Sequence, residues 1–339
     1  MAAPTRGSTM VTSPPPATTH CVCTTLSVSA TSNVSTITPS AWDFLPEEVL
    51  ERILNFLSLP SLLRVLPVCH RWRRVAEWPR FWVDLKLRVK AGNLSIMPEV
   101  LRLPRLQHLR RLRVSVASER LFQALLDHPG LQNLDARCCD LSGISPELLA
   151  KVVAQVNTVI MFTVHLRPEQ AEALFRAAGQ PKARLRKLHL GDNWQQGTDW
   201  DTYLPVSPGL LAAASRNLEH LEMPSTGLEV EQVRALLVEV GGGQGRMRYL
   251  NLKHNSLRDV APWVVGRAVN CLETAILKSC NLTRHQVTSI LEQAQEGGRL
   301  QELDVAGNWD AKEVAVAVLD RTRGRISKLR LWNQLSVSF

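Results

Sequence analysis

The sequence predicts an α/β chain in two unequal parts: a short all-α segment, then a curved solenoid of strand–turn–helix repeats. Three observations carry this. Residues 42–85 pack large apolar side chains at helical spacing between prolines. From residue 109 onward one apolar template recurs in a single phase. Residues 1–41 hold ten Thr, seven Ser and five Pro, a composition that cannot bury enough surface to fold. The expected organisation is a disordered tail at 1–41, a helical domain at 42–85, a basic connector and cap at 86–108, and the repeat array at 109–339.

The helical segment reads WDFLPEEVLERILNFLSLPSLLRVLPVCHRWRRVAEWPRFWVDL. Leu50, Ile53, Leu54 and Leu57 make one helical stripe, widened by Val49 and Phe56. Pro46 suits a first helical turn, and Glu47, Glu48 and Glu51 favour the positive end of that helix. Pro60 is expected to end the helix, with Ser61 capping the next turn, and Pro67 to break the chain again. Val68, Trp72, Val75 and Ala76 make a second stripe, followed by Phe81 and Trp82. About forty residues cannot bury such faces alone. The surplus apolar surface needs a partner, either another part of this chain or another protein.

Leu45-Pro46, the acidic Glu47-Glu48, the helix Val49 to Leu57, the Val68-Cys69-His70-Arg71-Trp72 core and the late Trp82 resemble the F-box family. Ser61 stands where an acidic residue is common. The resemblance covers about 40 of 339 residues. It implies docking on a Skp-family adaptor, and through it on the cullin scaffold of a ubiquitin ligase. By that resemblance Leu45, Pro46, Leu50, Ile53, Leu54, Leu57, Leu62, Val68, Cys69, Trp72 and Trp82 build or support the adaptor interface. The alternative is a three-helix cap packed on the repeats behind it.

The repeats follow L-x-x-L-x-L-x-x-N/C-x-L, beginning at Leu131, Val156, Leu185, Leu218, Met247, Leu272 and Leu300. A weaker copy starts at Leu109 and an incomplete one at Ile326; spacings from 131 are 25, 29, 33, 29, 25, 28 and 26 residues. The pattern resembles the leucine-rich repeats of the longer, helix-backed class seen in ribonuclease inhibitor. The apolar positions stack inward on neighbouring copies, because one copy cannot bury them. The Asn or Cys position lies within a turn and satisfies backbone groups, which accounts for Cys139 and Cys280 without redox or metal chemistry. Return helices are expected at 147–155, 169–178, 230–240, 284–295 and 311–322.

Side chains between the template positions point outward from the strands. Exposed Ile160, Phe162, Tyr249, Ile276 and Trp332 are unusual on a solvated sheet. With Arg137, Lys187, His189, Lys253, Lys278 and Arg330 they are the candidate face for a protein substrate, unless a C-terminal tail or nothing covers it. The longest repeat inserts 194–208, where Trp194 and Trp200 either anchor a ligand or fold back on their own repeat.

The net charge of +9 is local: residues 86–113 hold eight basic side chains against Glu99. That stretch has no aromatic side chain to stack bases, which argues against nucleic acid; capture of a phosphopeptide by its arginines is a further option. No apolar run is long enough to span a membrane. Seven cysteines without an export signal suggest cytosol or nucleus. There is no Cys-x-x-Cys pair and no phosphate loop, and His189, His220 and His254 read as solvated histidines, so no metal or cofactor is expected. Ser13-Pro14 and Thr38-Pro39 in the tail suit proline-directed kinases if the tail is more than a spacer. The expected function is a non-catalytic substrate receptor of an Skp–cullin–F-box ligase, the repeats holding an unidentified protein. The alternative is a repeat scaffold or inhibitor that binds the adaptor without promoting ubiquitination.

Overall fold

The computed structural model describes residues 45–57, 59–83, 95, 97–193, 204, 206–294, 299–308, 325–332 and 335–338; the expected helix at 311–322 and most of the 194–208 insertion lie outside these. Residues 46–339 form one compact unit. No helix among the described residues is long and apolar enough to cross a membrane.

The unit begins with four short helices: α1 (Glu47–Asn55), α2 (Leu59–Val65), α3 (His70–Ala76) and α4 (Arg80–Val83). The Pro46 carbonyl accepts from the Val49 and Leu50 amides at 3.1 Å and starts α1. Leu50, Leu54, Leu62, Leu66, Val75, Ala76 and Trp82 form its core. The Trp82 indole donates to the Ala76 carbonyl at 2.8 Å, so its buried N–H is satisfied. Glu47 and Glu51 of α1 pair with Arg74 of α3 and Arg80 of α4. Pro60 is the second residue of α2, and Ser61 lies inside that helix and does not open it. A proline in the first turn removes an amide that has no intrahelical acceptor, so it starts this helix where the sequence suggested a break.

The chain then passes through α5 (Met97–Leu101) and a 3-10 turn (Pro104–His108) into a ten-stranded sheet. Arg105 pairs with Glu77 at 3.2 Å, and the Arg110 amide donates to the Val83 carbonyl at 2.9 Å. These bonds seal the helical segment onto the first repeat. The strands are β1 (Arg111–Arg113), β2 (Asn133–Asp135), β3 (Thr158–Ile160), β4 (Lys187–His189), β5 (His220–Glu222), β6 (Tyr249–Asn251), β7 (Thr274–Ile276), β8 (Glu302–Asp304), β9 (Lys328–Trp332) and β10 (Leu335–Ser338). The first nine are parallel in chain order, and β10 turns back antiparallel on β9. Helices α6 (Glu119–Leu126), α7 (Pro146–Gln155), α8 (Pro168–Ala178), α9 (Pro208–Asn217), α10 (Val230–Gly241), α11 (Pro262–Asn270) and α12 (Arg284–Ala294) return the chain between strands and pack side by side. The result is a solenoid-like parallel sheet backed by helices.

The middle residue of each three-residue strand is buried, from Leu112 and Leu134 through Leu188, Leu221 and Leu250 to Leu303, and Leu329 of β9 continues the stack. Fully burying one such side chain contributes about 1.5–3 kcal/mol. The third residue after each of β2 to β8 is left-handed. Cys138, Thr163, Asp192, Ser225, His254, Ser279 and Gly307 have φ between 52 and 75°. Each immediately precedes the template's turn position.

Those turn positions are wired to their neighbours. Asn255 donates to the Met223 carbonyl at 2.7 Å and accepts from the Thr226 and Leu228 amides at 3.2 and 3.3 Å. Asn193 bridges to Met161 and Val164, and Asn308 to Leu277, Cys280 and Leu282, in the same way. At the alternate junctions a glutamine at the start of a helix does the work. Gln170, Gln232 and Gln286 each accept their own N-cap amide at 2.7–2.8 Å. Each also donates to two carbonyls of the preceding repeat at 2.6–2.7 Å. All six carboxamide residues are at most 7% exposed.

Two expectations follow. Asn255→Ala strands at least two buried backbone groups and should cost about 2 kcal/mol or more, read from urea unfolding of the full chain. Burial pushes the Cys139 and Cys280 thiols up to about 12, whereas Cys138 is exposed. Iodoacetamide at mildly alkaline pH should therefore modify Cys138 and spare the other two in the folded chain, as mapped by peptide mass spectrometry.

Candidate functional site

The parallel register sorts the outward side chains into rows that run across the sheet. One row is Arg113, Asp135, Ile160, His189, Glu222, Asn251, Ile276, Asp304 and Arg330. The next is Arg111, Asn133, Thr158, Lys187, His220, Tyr249, Thr274, Glu302 and Lys328. Arg137, Phe162, Gly191, Pro224, Lys253 and Lys278 follow two residues beyond the first row. A Cβ on Gly191 would come within 2.6 Å of both Phe162 and Pro224, so only glycine lets those side chains close over the strand end.

Ion pairs satisfy the two ends of the face. Arg137 forks onto Asp135 at 3.0 and 2.7 Å, and Arg113 reaches the same carboxylate at 3.8 Å. Burial opposes the charge on Asp135, but its Arg137 hydrogen bonds outweigh that and hold its pKa below the usual range. At the other end Lys328 pairs with Glu302 at 2.6 Å and Arg330 with Asp304 at 3.5 Å. The expected ligand residues Arg137 and Arg330 are thus engaged within the face itself.

The centre is different. Phe162, His189, His220 and Tyr249 form an aromatic ladder across β3 to β6. Ring centroids are 6.0 Å apart edge-on for Phe162–His189, 4.8 Å for His189–His220 and 3.8 Å stacked for His220–Tyr249. Glu222 holds both imidazoles, at 3.3 Å from His189 Nδ1 and 2.9 Å from His220 Nε2. Burial raises its pKa, but the two histidines dominate and bring it down to about 2. Burial first, then the Glu222 carboxylate, push the Tyr249 phenol up to about 12. Ile160 and Ile276 sit half-buried on either side in the same row. His254 borders Lys253 and Lys278, and its pKa is lowered by burial and then by those charges. Lys187 is exposed beside the ladder. Trp332 continues the third row by backbone position; its side chain, with Trp194 and Trp200, lies outside the described residues.

The register thus brings Phe162, His189 and Tyr249 together with His220 and Glu222. Histidines read one at a time conceal this. The signal was in the template: residues two apart on one strand share a face, and the equal register fixes the neighbour.

In the helical segment, Leu50, Leu54, Leu62 and Trp82 are sealed in its own core. Leu45, Ile53, Leu57, Cys69 and Trp72 are half-buried, and Pro46 and Val68 are exposed. Large apolar side chains still face solvent: Phe56 at 89%, Val68 at 63%, Leu63 at 43% and Val49 at 38%. Phe56 and Leu63 were missed as contact candidates, because a helical stripe cannot separate the inner edge from the outer. Of the basic stretch 86–113, the residues Lys86, Arg88 and Lys90 lie outside the described residues. Arg102 pairs with Glu99 and Asp127, Arg105 with Glu77, and Arg113 with Asp135. These arginines tie the connector to both its neighbours.

Residues 42–88 match the F-box-like family. The match spans all four opening helices and ends before the sheet.

The core and the exposed set should separate in stability. Leu54→Ala should cost about 2–5 kcal/mol as a core truncation. Phe56→Ala should change stability by no more than about 0.5 kcal/mol. Urea titration of the full chain, followed by tryptophan fluorescence, checks both.

Proposed function

We propose that this chain is the non-catalytic substrate-recognition subunit of a ubiquitin ligase of the Skp–cullin–F-box type. The observation that carries this is the F-box-like match at 42–88. Domains of this kind dock on a Skp-family adaptor, which joins them to a cullin scaffold. Phe56, Leu63 and Val68 remain exposed in a segment whose own core is already filled. Such surface is what an external subunit would cover.

On this reading the repeats are leucine-rich repeats of the helix-backed class, and their strand face holds a target protein. Support comes from three-residue strands, the buried turn asparagines and the aromatic centre between ion-paired ends. The chemistry is positional. Holding a target beside a ubiquitin-charged enzyme turns a bimolecular lysine attack into an effectively intramolecular one. The place of action would be cytosol or nucleus.

The double variant Phe56→Asp with Val68→Asp tests the docking. Affinity of the full chain for purified Skp-family adaptor should fall at least tenfold, with an unchanged circular dichroism spectrum. Binding within twofold of wild type would sink the proposal. If docking holds but a protein captured by the strand face gains no ubiquitin in a reconstituted ligase, the chain is instead an adaptor-bound scaffold.

A further inference from the structure

We propose that His189, His220 and Glu222 form a binding site for a divalent transition-metal ion on the outward face of β4 and β5. His220 and Glu222 are two residues apart on one strand, so both side chains leave the same face. His189 is the direct register partner of Glu222 on the next strand. Three ligand atoms, one from each residue, lie within 4.8 Å of one another. Around a zinc ion with bonds of about 2.1 Å, tetrahedral ligand atoms stand roughly 3.4 Å apart. His189 Nδ1 stands 3.3 Å from Glu222 Oε2 and His220 Nε2 2.9 Å from Glu222 Oε1, both near that spacing.

The donor set also fits. Two imidazoles and one carboxylate suit zinc, cobalt or nickel over magnesium or calcium, which prefer oxygen alone. His220 Nε2 hydrogen-bonds Glu222 at 2.9 Å, and His189 Nδ1 stands 3.3 Å from the same carboxylate. In neutral rings that point their protons at Glu222, metal binding would move each proton to the other ring nitrogen, freeing a lone pair without net proton loss. The surroundings hold the ligands in place. Tyr249 stacks on His220 at an interplanar angle of 4°, and the Phe162 ring meets His189 edge-on. Such outer contacts orient ligands in metal sites.

The three side chains are between 16 and 21% exposed, so the site opens to solvent. Three protein ligands leave a fourth position facing outward. That position can take water or a side chain from a docked protein, which would make the ion part of the recognition face. The site itself does not depend on the proposed ligase role.

Cobalt(II) titration of the full chain tests it. One equivalent should give a visible d–d band, and zinc should abolish that band by competition. His189→Gln and His220→Gln should each weaken binding at least tenfold. His165→Gln and His285→Gln, on other parts of the array, should leave it unchanged. Circular dichroism verifies folding of each variant. As a readout that needs no variant, nitrogen hyperfine coupling in the pulsed EPR spectrum of the cobalt complex should report imidazole ligation. Absence of the band, a band indifferent to both histidine variants, or a spectrum without imidazole nitrogen would overturn the proposal.

Discussion

One buried carboxamide at each of six successive junctions holds the repeat array together. Parallel strands of only three residues exchange few hydrogen bonds, and the turns that follow them leave carbonyls and amides pointing into the core. A buried backbone group without a partner costs about as much as a lost hydrogen bond. Asn193, Asn255 and Asn308 answer this from within turns, reaching back one repeat. Gln170, Gln232 and Gln286 answer it from helix starts, on the alternate junctions. The leucine stack supplies most of the burial energy, yet apolar packing does not dictate which turn meets which helix. The carboxamides do, because each must find two or more partners at fixed distances.

This wiring explains why the strand face is so regular. With six successive junctions pinned alternately at a turn and at a helix start, the strands keep equal register from β1 to β9. Outward side chains then stack in rows, and chemistry that is dispersed in the chain becomes local. His189 and Glu222 are thirty-three positions apart and touch; His220 meets Tyr249 ring to ring. The helical segment at the front is built by opposite means. It fills a small core with leucines and Trp82, braces α1 with ion pairs to α3 and α4, and leaves Phe56 and Val68 uncovered.

Much of this was legible in the sequence. The strands were, because an apolar residue at each inward template position reports burial directly. Four return helices were, because their apolar faces recur at helical spacing. Helices α6, α9 and α11 were not: α6 has only eight residues, α9 holds the run Leu-Leu-Ala-Ala-Ala, and α11 carries Gly266 at its middle. That glycine looks like a helix breaker, but a Cβ there would fall 2.9 Å from the Ser289 carbonyl oxygen. It is a point of close approach between α11 and α12. Ser61 was misplaced because a proline before it reads equally as an end or a beginning. The glutamines were passed over because a Gln in a helix is ordinary until its neighbour's carbonyls are in view. Among the outward residues, Phe162, His189 and Tyr249 stood out singly; their union with His220 and Glu222 needed the register.

The alternation of asparagine and glutamine has a consequence for the length of the molecule. Excising one repeat would set two junctions of the same kind side by side, leaving a turn facing a helix start that lacks the matching amide. Removing two would restore the sequence of contacts intact. The natural increment of this chain is thus a doublet, and lengthened or shortened versions would keep their interior whole only in even steps.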